Sequence, residues 1–285
     1  MSNYQIITDS GCDLPQSMIS NFDIRVQPLL VNFRGETLND SVDAGIREFY
    51  AGLRAGDVAT TSAINPEGWK DAIEPSLKEG KDALVITFSS GLSTTYQSAV
   101  IAADELQETY PQRKIRVVDS LAASLGQGLL MHYVCAKRDA GMELDALAAW
   151  VEENRLKLCH WFTVDDLMFL KRGGRVSAAT ALVGTMLQIK PVLHVDEEGH
   201  LISMAKSRGR KASILALAAK LKEAGMQNDV AYICHGDCLE DAEYLAKYLK
   251  ENCGVKEVFI GYTGAVIGSH SGPGTLALFY LGNNR

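Results

Sequence analysis

Three short apolar runs in this chain end in the same way, and that repetition restricts the folds open to it. Ile6-Ile7-Thr8 runs into Asp9-Ser10, Ala83-Leu84-Val85-Ile86-Thr87-Phe88 into Ser89-Ser90, and Ile115-Arg116-Val117-Val118 into Asp119-Ser120. Each reads as a buried strand, and a helical pattern follows each one. Strands alternating with helices through tight connections imply a parallel, doubly wound sheet. Ligands of such sheets sit beyond the carboxyl ends of the strands. Asp9-Ser10, Ser89-Ser90 and Asp119-Ser120 are therefore expected on one rim.

The richest part of that rim is Ser89-Ser90-Gly91-Leu92-Ser93-Thr94-Thr95, which leads into a helix with Ala99, Val100, Ala103 and Leu106 on its apolar positions. Ser93 is the expected N-cap. The first N–H groups of the helix lack internal partners, and with the helix dipole and the hydroxyls they make a seat for an anion. A polar turn capped and solvated by its own serines accounts for the same residues. Thr60-Thr61-Ser62 forms a second hydroxyl cluster, ahead of a helix carrying Trp69, Ala72 and Ile73.

Other elements follow from local pattern. Asp13-Leu14-Pro15 predicts a helix N-cap with an early-turn proline. Arg25 to Phe33 reads as one strand, and helices are expected near 44–53, 121–140 and 144–156. Beyond them the alternation changes. His160 to Val164 is strand-like, Asp165 to Arg172 is helical, and Gly173-Gly174 stops that helix. Val192 to Val195 and Leu201 to Ala205 predict an antiparallel hairpin around Asp196-Glu197-Glu198-Gly199. A helix over 211–224, a strand over 229–234, a helix over 239–252 and a strand over 257–262 precede a glycine-rich close, Val266 to Thr275, and the apolar tail Leu276 to Tyr280. The expected fold class is thus α/β: an N-terminal parallel-sheet domain over 1–152, a smaller C-terminal α+β domain over 153–285, and a ligand between them.

Composition narrows the function. The net charge of −7 on 285 residues argues against nucleic acid as the principal partner, because phosphate contacts need clustered Lys and Arg. No run approaches the roughly 20 apolar residues of a membrane span, so no stable membrane insertion is expected. The first residues enter a strand without the pattern of a signal peptide, which points to a cytoplasmic protein. Six cysteines show no C-x-x-C spacing. Cys234-His235-Gly236-Asp237-Cys238 is only a weak zinc signal, and neither metal nor cofactor is expected. G-x-S-x-G, G-x-x-x-x-G-K-[ST] and G-x-G-x-x-G are all absent.

Taken in order, Thr8-Asp9-Ser10, Thr60-Thr61-Ser62, Ser89-Ser90-Gly91-Leu92-Ser93-Thr94-Thr95, Val118-Asp119-Ser120, Leu170-Lys171-Arg172-Gly173-Gly174-Arg175-Val176-Ser177, Ile189-Lys190-Pro191 and Gly268-Ser269-His270-Ser271-Gly272-Pro273-Gly274 resemble the DegV family across nearly the whole chain. The resemblance implies a bacterial fatty-acid-binding protein, similar to the binding subunit of fatty acid kinase. Such a carrier is not itself an enzyme. It encloses one long-chain fatty acid between its two domains and presents the carboxylate to the catalytic kinase subunit, which makes an acyl phosphate. Carried onto this chain, the carboxylate-binding hydroxyls are Thr61 and Ser93 with His270 close by. Ser62, Thr94, Gly268 and Ser269 flank them.

The residues themselves support two requirements of a fatty acid. An apolar cavity is worth about 0.8 kcal/mol per buried CH₂, and a buried carboxylate needs several hydrogen bonds. Trp161–Phe162, Leu182–Ile189 and Leu276–Tyr280 suit a tunnel or an ordinary core. His270 suits a carboxylate donor or a structural role. Arg172 and Arg175 bracket a Gly-Gly turn, as a helix C-cap or as contacts to a partner or phosphate. Arg208 and Arg210 lie in the basic run Lys206 to Lys211, which is either a solvated turn or a kinase-docking patch. The rival from another class is a serine-dependent acyl hydrolase or transferase using Ser93, His270 and either Asp9 or Asp119.

Overall fold

The structure, a computed structural model, describes residues 3–177 and 189–285. Its first half contains β1 (Tyr4–Asp9), α1 (Gln16–Phe22), β2 (Arg25–Gln27), β3 (Leu30–Phe33), β4 (Glu36–Asn39), α2 (Ile46–Ala55) and β5 (Ala59–Ser62). They are followed by α3 (Pro66–Lys78), β6 (Asp82–Thr87), α4 (Thr95–Thr109), β7 (Ile115–Asp119), α5 (Leu125–Asp139) and α6 (Leu144–Asn154). The second half contains β8 (Leu158–Thr163), α7 (Met168–Arg172), β9 (Ile189–Val195), β10 (Leu201–Arg208), α8 (Arg210–Lys222), β11 (Val230–His235), α9 (Leu239–Asn252), β12 (Glu257–Tyr262), α10 (Ala265–Ser271) and β13 (Leu276–Leu281). Among the described residues no helix is long and apolar enough to cross a membrane. The apolar run over 182–188 lies outside the described residues.

The strands with polar ends form a parallel sheet in the order β2-β1-β6-β7. Its faces follow from the two-residue period of a strand. Ile6, Leu84 and Ile86 join a core with Leu129 of α5 and Leu147 of α6, while Ile7, Ala83 and Val85 join another with Trp69 of α3 and Ala99 of α4. Coverage on both sides explains why these strands read as unbroken apolar runs.

A six-stranded mixed sheet, ordered β10-β9-β8-β13-β11-β12, forms the second half. The expected hairpin is its β9–β10 pair. Leu276, Leu278 and Tyr280 face a core with α8 and α9; Ala277 and Phe279 face α5. The second half is thus a mixed sheet with its own helical layer, and α5 is common to both halves.

Several local expectations change. Pro28, which has no N–H to give a ladder, splits the predicted strand over 25–33. The piece before it pairs with β1, and the piece after it enters a small antiparallel sheet, β4-β3-β5. The hydroxyl cluster Thr60-Thr61-Ser62 lies in strand β5 of that sheet. Asp13 does not cap α1. It adopts a left-handed backbone, φ 53°, with its carboxyl buried beside Ser124, and Asp43 Oδ2 accepts the N–H of Gln16 at 2.7 Å instead. The helix after β7 starts at Leu125 because Leu121 and Ser124 take positive φ angles. The glycine-rich close is helical as far as Ser271.

Candidate functional site

The carboxyl ends of β1, β6 and β7 do meet, and their aspartates serve the backbone. Asp9 accepts the N–H of Phe88 at 2.6 Å and of Gly11 at 3.0 Å. Asp119 accepts those of Ser90 at 3.2 Å and Leu121 at 3.0 Å. These bonds hold the loop before α4 in place. Burial raises Asp9 to about 7. Ser89 Oγ donates to the carbonyl of Gly199 at 2.9 Å, so the β9–β10 turn closes over the loop. A Cβ on Gly91 would lie 2.7 Å from the carbonyl oxygen of Glu198, and only glycine permits that approach.

A cavity of about 510 Å³ opens behind this loop. It is lined by Thr61, Ser62, Ser93, Thr94 and His270, five of the residues singled out in the sequence. The apolar wall includes Phe162, Val195, Leu201, Ala277 and Phe279. From the candidate tunnel segments it takes Phe162, Ala277 and Phe279, whereas Trp161, Leu276, Leu278 and Tyr280 belong to the core on the other face of the sheet.

His270 sits in the last turn of α10, and its Nε2 lies 2.8 Å from Thr61 Oγ1 on β5. Burial, aided by the nearby Arg175 charge, pushes its pKa down to about 4, so the ring is neutral at pH 7. Its buried Nδ1 has no hydrogen-bond partner among the described residues. Ser93 precedes the helix by one residue more than an N-cap does. Its Oγ accepts the N–H of Thr95 at 3.3 Å and lies 2.8 Å from Thr95 Oγ1.

This geometry does not assemble a Ser–His–Asp triad. His270 pairs with Thr61, Ser93 pairs with Thr95, and Asp9 and Asp119 are committed to backbone N–H groups.

Two flanking residues lie elsewhere. Ser269 Oγ donates to the carbonyl of Ala265 at 2.7 Å, and Gly268 packs on the Tyr50 hydroxyl; neither lines the cavity. Among the arginines, Arg175 lines it, with Nη2 donating to the Leu92 carbonyl at 3.0 Å. Arg210 pairs with Asp241 at 2.7 Å and approaches Asp165 at 3.6 Å. Arg172 is exposed and lies 5.0 Å over the ring of Phe169. Arg208 is exposed on β10. Ser124 was not singled out in the sequence, and Cys234 drew notice only within a weak zinc signal; their Oγ and Sγ are 3.2 Å apart in the cavity wall. No motif links the two; they meet because β11 packs beside α5.

The family described as "Uncharacterised protein, DegV family" matches residues 3–283. The chain belongs to the DegV family. A DegV domain-containing protein of Clostridium perfringens is 44% identical over 289 residues, spanning 100% of this chain and 99% of its relative. The solved structure described as "Fatty Acid Binding of a DegV family Protein from Thermus thermophilus" superimposes with a TM-score of 0.89 at 33% identity, covering 98% of this chain and 99% of the other. The Streptococcus pneumoniae Fatty Acid Kinase (Fak) B3 protein, solved with linoleic acid, superimposes with a TM-score of 0.86 over 99% and 100% of the two chains. At 23% identity that likeness is one of DegV fold.

Proposed function

We propose that this DegV protein is a fatty-acid carrier. It encloses one acyl chain in the cavity and presents the carboxylate to a separate kinase for acyl phosphate formation. One observation carries the reading: a single cavity joins the hydroxyls of Thr61 and Ser93 to the apolar face of the mixed sheet. Burying a sixteen-carbon tail supplies roughly 12 kcal/mol before the costs of association and ordering. Hydroxyl donors from Thr61, Ser93 and Thr94 offset the desolvation of the carboxylate. Arg175 is spent on the Leu92 and Gly173 carbonyls, so no guanidinium fork clamps the carboxylate, and its outer oxygen stays open to a phosphoryl donor. The fatty acid bound by the Thermus thermophilus relative supports the same occupant.

The test is native mass spectrometry of protein purified from a bacterial host, with the bound lipid then extracted and identified. One fatty acid per chain is expected. An empty protein that also fails to take up added fatty acid overturns the reading. For the second step, a cognate kinase with ATP should turn the bound acid into a species that hydroxylamine traps. Turnover of a nitrophenyl ester, lost in Ser93→Ala, would establish the hydrolase instead.

A further inference from the structure

The mixed sheet meets the cavity with two neighbouring rows of side chains. Cross-strand partners share a face of a sheet, and residues two apart on one strand do too. One row runs Phe162–Ala277–Cys234–Gly261 across β8, β13, β11 and β12. The next, two residues along each strand, runs His160–Phe279–Tyr232–Phe259. The first row is small at its centre; the second is aromatic throughout. His160 and Phe279 meet edge to face with ring centres 5.3 Å apart, and Tyr232 and Phe259 lie 5.1 Å apart.

The helix α5 closes down on the aromatic row. A Cβ on Gly126 would fall 2.2 Å from His160 Nε2 and 2.8 Å from Phe279, so the helix backbone rests directly on both rings. His160 is braced as well, its Nδ1 3.1 Å from the Leu158 carbonyl and its Nε2 3.4 Å from the Ala123 N–H. Of these two rows, Phe162, Ala277 and Cys234 line the cavity from the first, and His160 and Phe279 from the second. At about 3.3 Å per residue, Phe279 lies roughly 13 Å along the strand from Thr275, which also lines the cavity.

We infer that the His160–Phe279 ridge, sealed by Gly126, is the end stop of the cavity and sets the length of acyl chain this protein accepts. The inference rests on the fatty-acid reading above. The tail runs over Ala277 and Cys234, where side chains are small, and its methyl end meets Phe279. A braced ring pair cannot swing aside for one more methylene, so acids longer than the slot leave carbon in water or strain the ridge.

The test is competition binding of saturated fatty acids of graded length to the wild type, Phe279→Leu and Ala277→Val, with thermal melting as the check on folding. Each methylene newly buried is worth about fourfold in affinity. Phe279→Leu is expected to move the preferred length up by one or two carbons, improving the longer acid relative to the wild-type optimum by about four- to fifteenfold. Ala277→Val is expected to move it down by a similar step. Folded variants that both keep the wild-type order of lengths overturn the end stop while leaving the carrier reading intact. If Phe279→Leu does not fold, the direction of the Ala277→Val shift decides alone. Failure of the wild type to bind any of the acids overturns both readings together.

Discussion

The parallel sheet and the mixed sheet border the same cavity with opposite parts of themselves. The parallel sheet offers its edge: loops past the strand ends, with hydroxyls and backbone N–H groups that no ladder uses. The mixed sheet offers its face, where a two-residue period brings Phe162, Ala277 and Phe279 to one side. Polar recognition and apolar capacity are thereby built on separate elements, so a change in one should leave the other standing.

The largest effect should come from the polar side, made of the loop past the parallel sheet that carries Ser93 and of strand β5 of the small sheet that carries Thr61. Thr61→Ala with Ser93→Ala removes two donors to a carboxylate, each worth about 1.5–3 kcal/mol when the acceptor is charged. Affinity for a fatty acid should fall by about 100-fold or more, while affinity for the matching fatty alcohol changes little. An equal loss for both ligands, read by competition binding, would show that these hydroxyls do not read the head group. On the face, Phe162→Ala should weaken acid and alcohol alike by about tenfold, the value of one to two methylenes of lost contact. A loss confined to the acid would break the division of labour.

The third prediction concerns the joint between the regions. Asp40 accepts the N–H of Val266 at 3.0 Å, in the first turn of the helix that carries His270, and Ser10 Oγ donates to it at 2.8 Å. Burial raises Asp40 to about 6 from an ordinary 3.8. A carboxyl raised in the folded state contributes its full stability below about pH 4, and that contribution is lost as pH rises through about 6. His270, lowered to about 4, runs the other way: its contribution is full above about pH 6.5 and is lost as pH falls through 4. Asp40→Asn removes the first contribution and, with it, the charge that helps raise the neighbouring Asp9 and Asp13, a change of the same sign, while the His270 contribution stays. Its melting temperature minus that of the wild type should climb between about pH 4.5 and 7 and then level off; a flat difference would contradict a raised carboxyl at 40.

The smallest effect belongs to the outer surface. Arg208→Glu should slow acyl phosphate formation by a cognate kinase by up to about fivefold, the scale of an exposed ion pair, with lipid occupancy unchanged. Unaltered kinetics would remove Arg208 from the docking surface. Arg210 is a poorer probe, because its ion pairs to Asp241 and Asp165 tie it to the fold.

Much of the edge was legible in the sequence, and less of the face. Strand ends rich in Asp, Ser and Thr announce themselves because strand, turn and helix are contiguous, which marks the loop from Ser89 to Thr95; the carboxylate roles of Thr61, Ser93 and His270 come from the resemblance to the DegV family. The face depends on register between distant strands. That Cys234 lies beside Ala277, and Phe279 beside His160, follows from antiparallel pairing across 43 and 119 residues of chain, and no local pattern encodes it. Asp13 misled for a related reason. Asp-Leu-Pro has the form of a cap, but the Ser124 hydroxyl that takes up its carboxyl lies 111 residues away.

The position of α5 bears on how a guest could come and go. Leu129 shares one core with Leu84 of the parallel sheet and Phe279 of the mixed sheet, so this helix is a spine bound into both covers. Opening the molecule like a book would tear the binding and wet both pages. The cavity reaches the surface elsewhere, at the exposed Ser62 and Thr94.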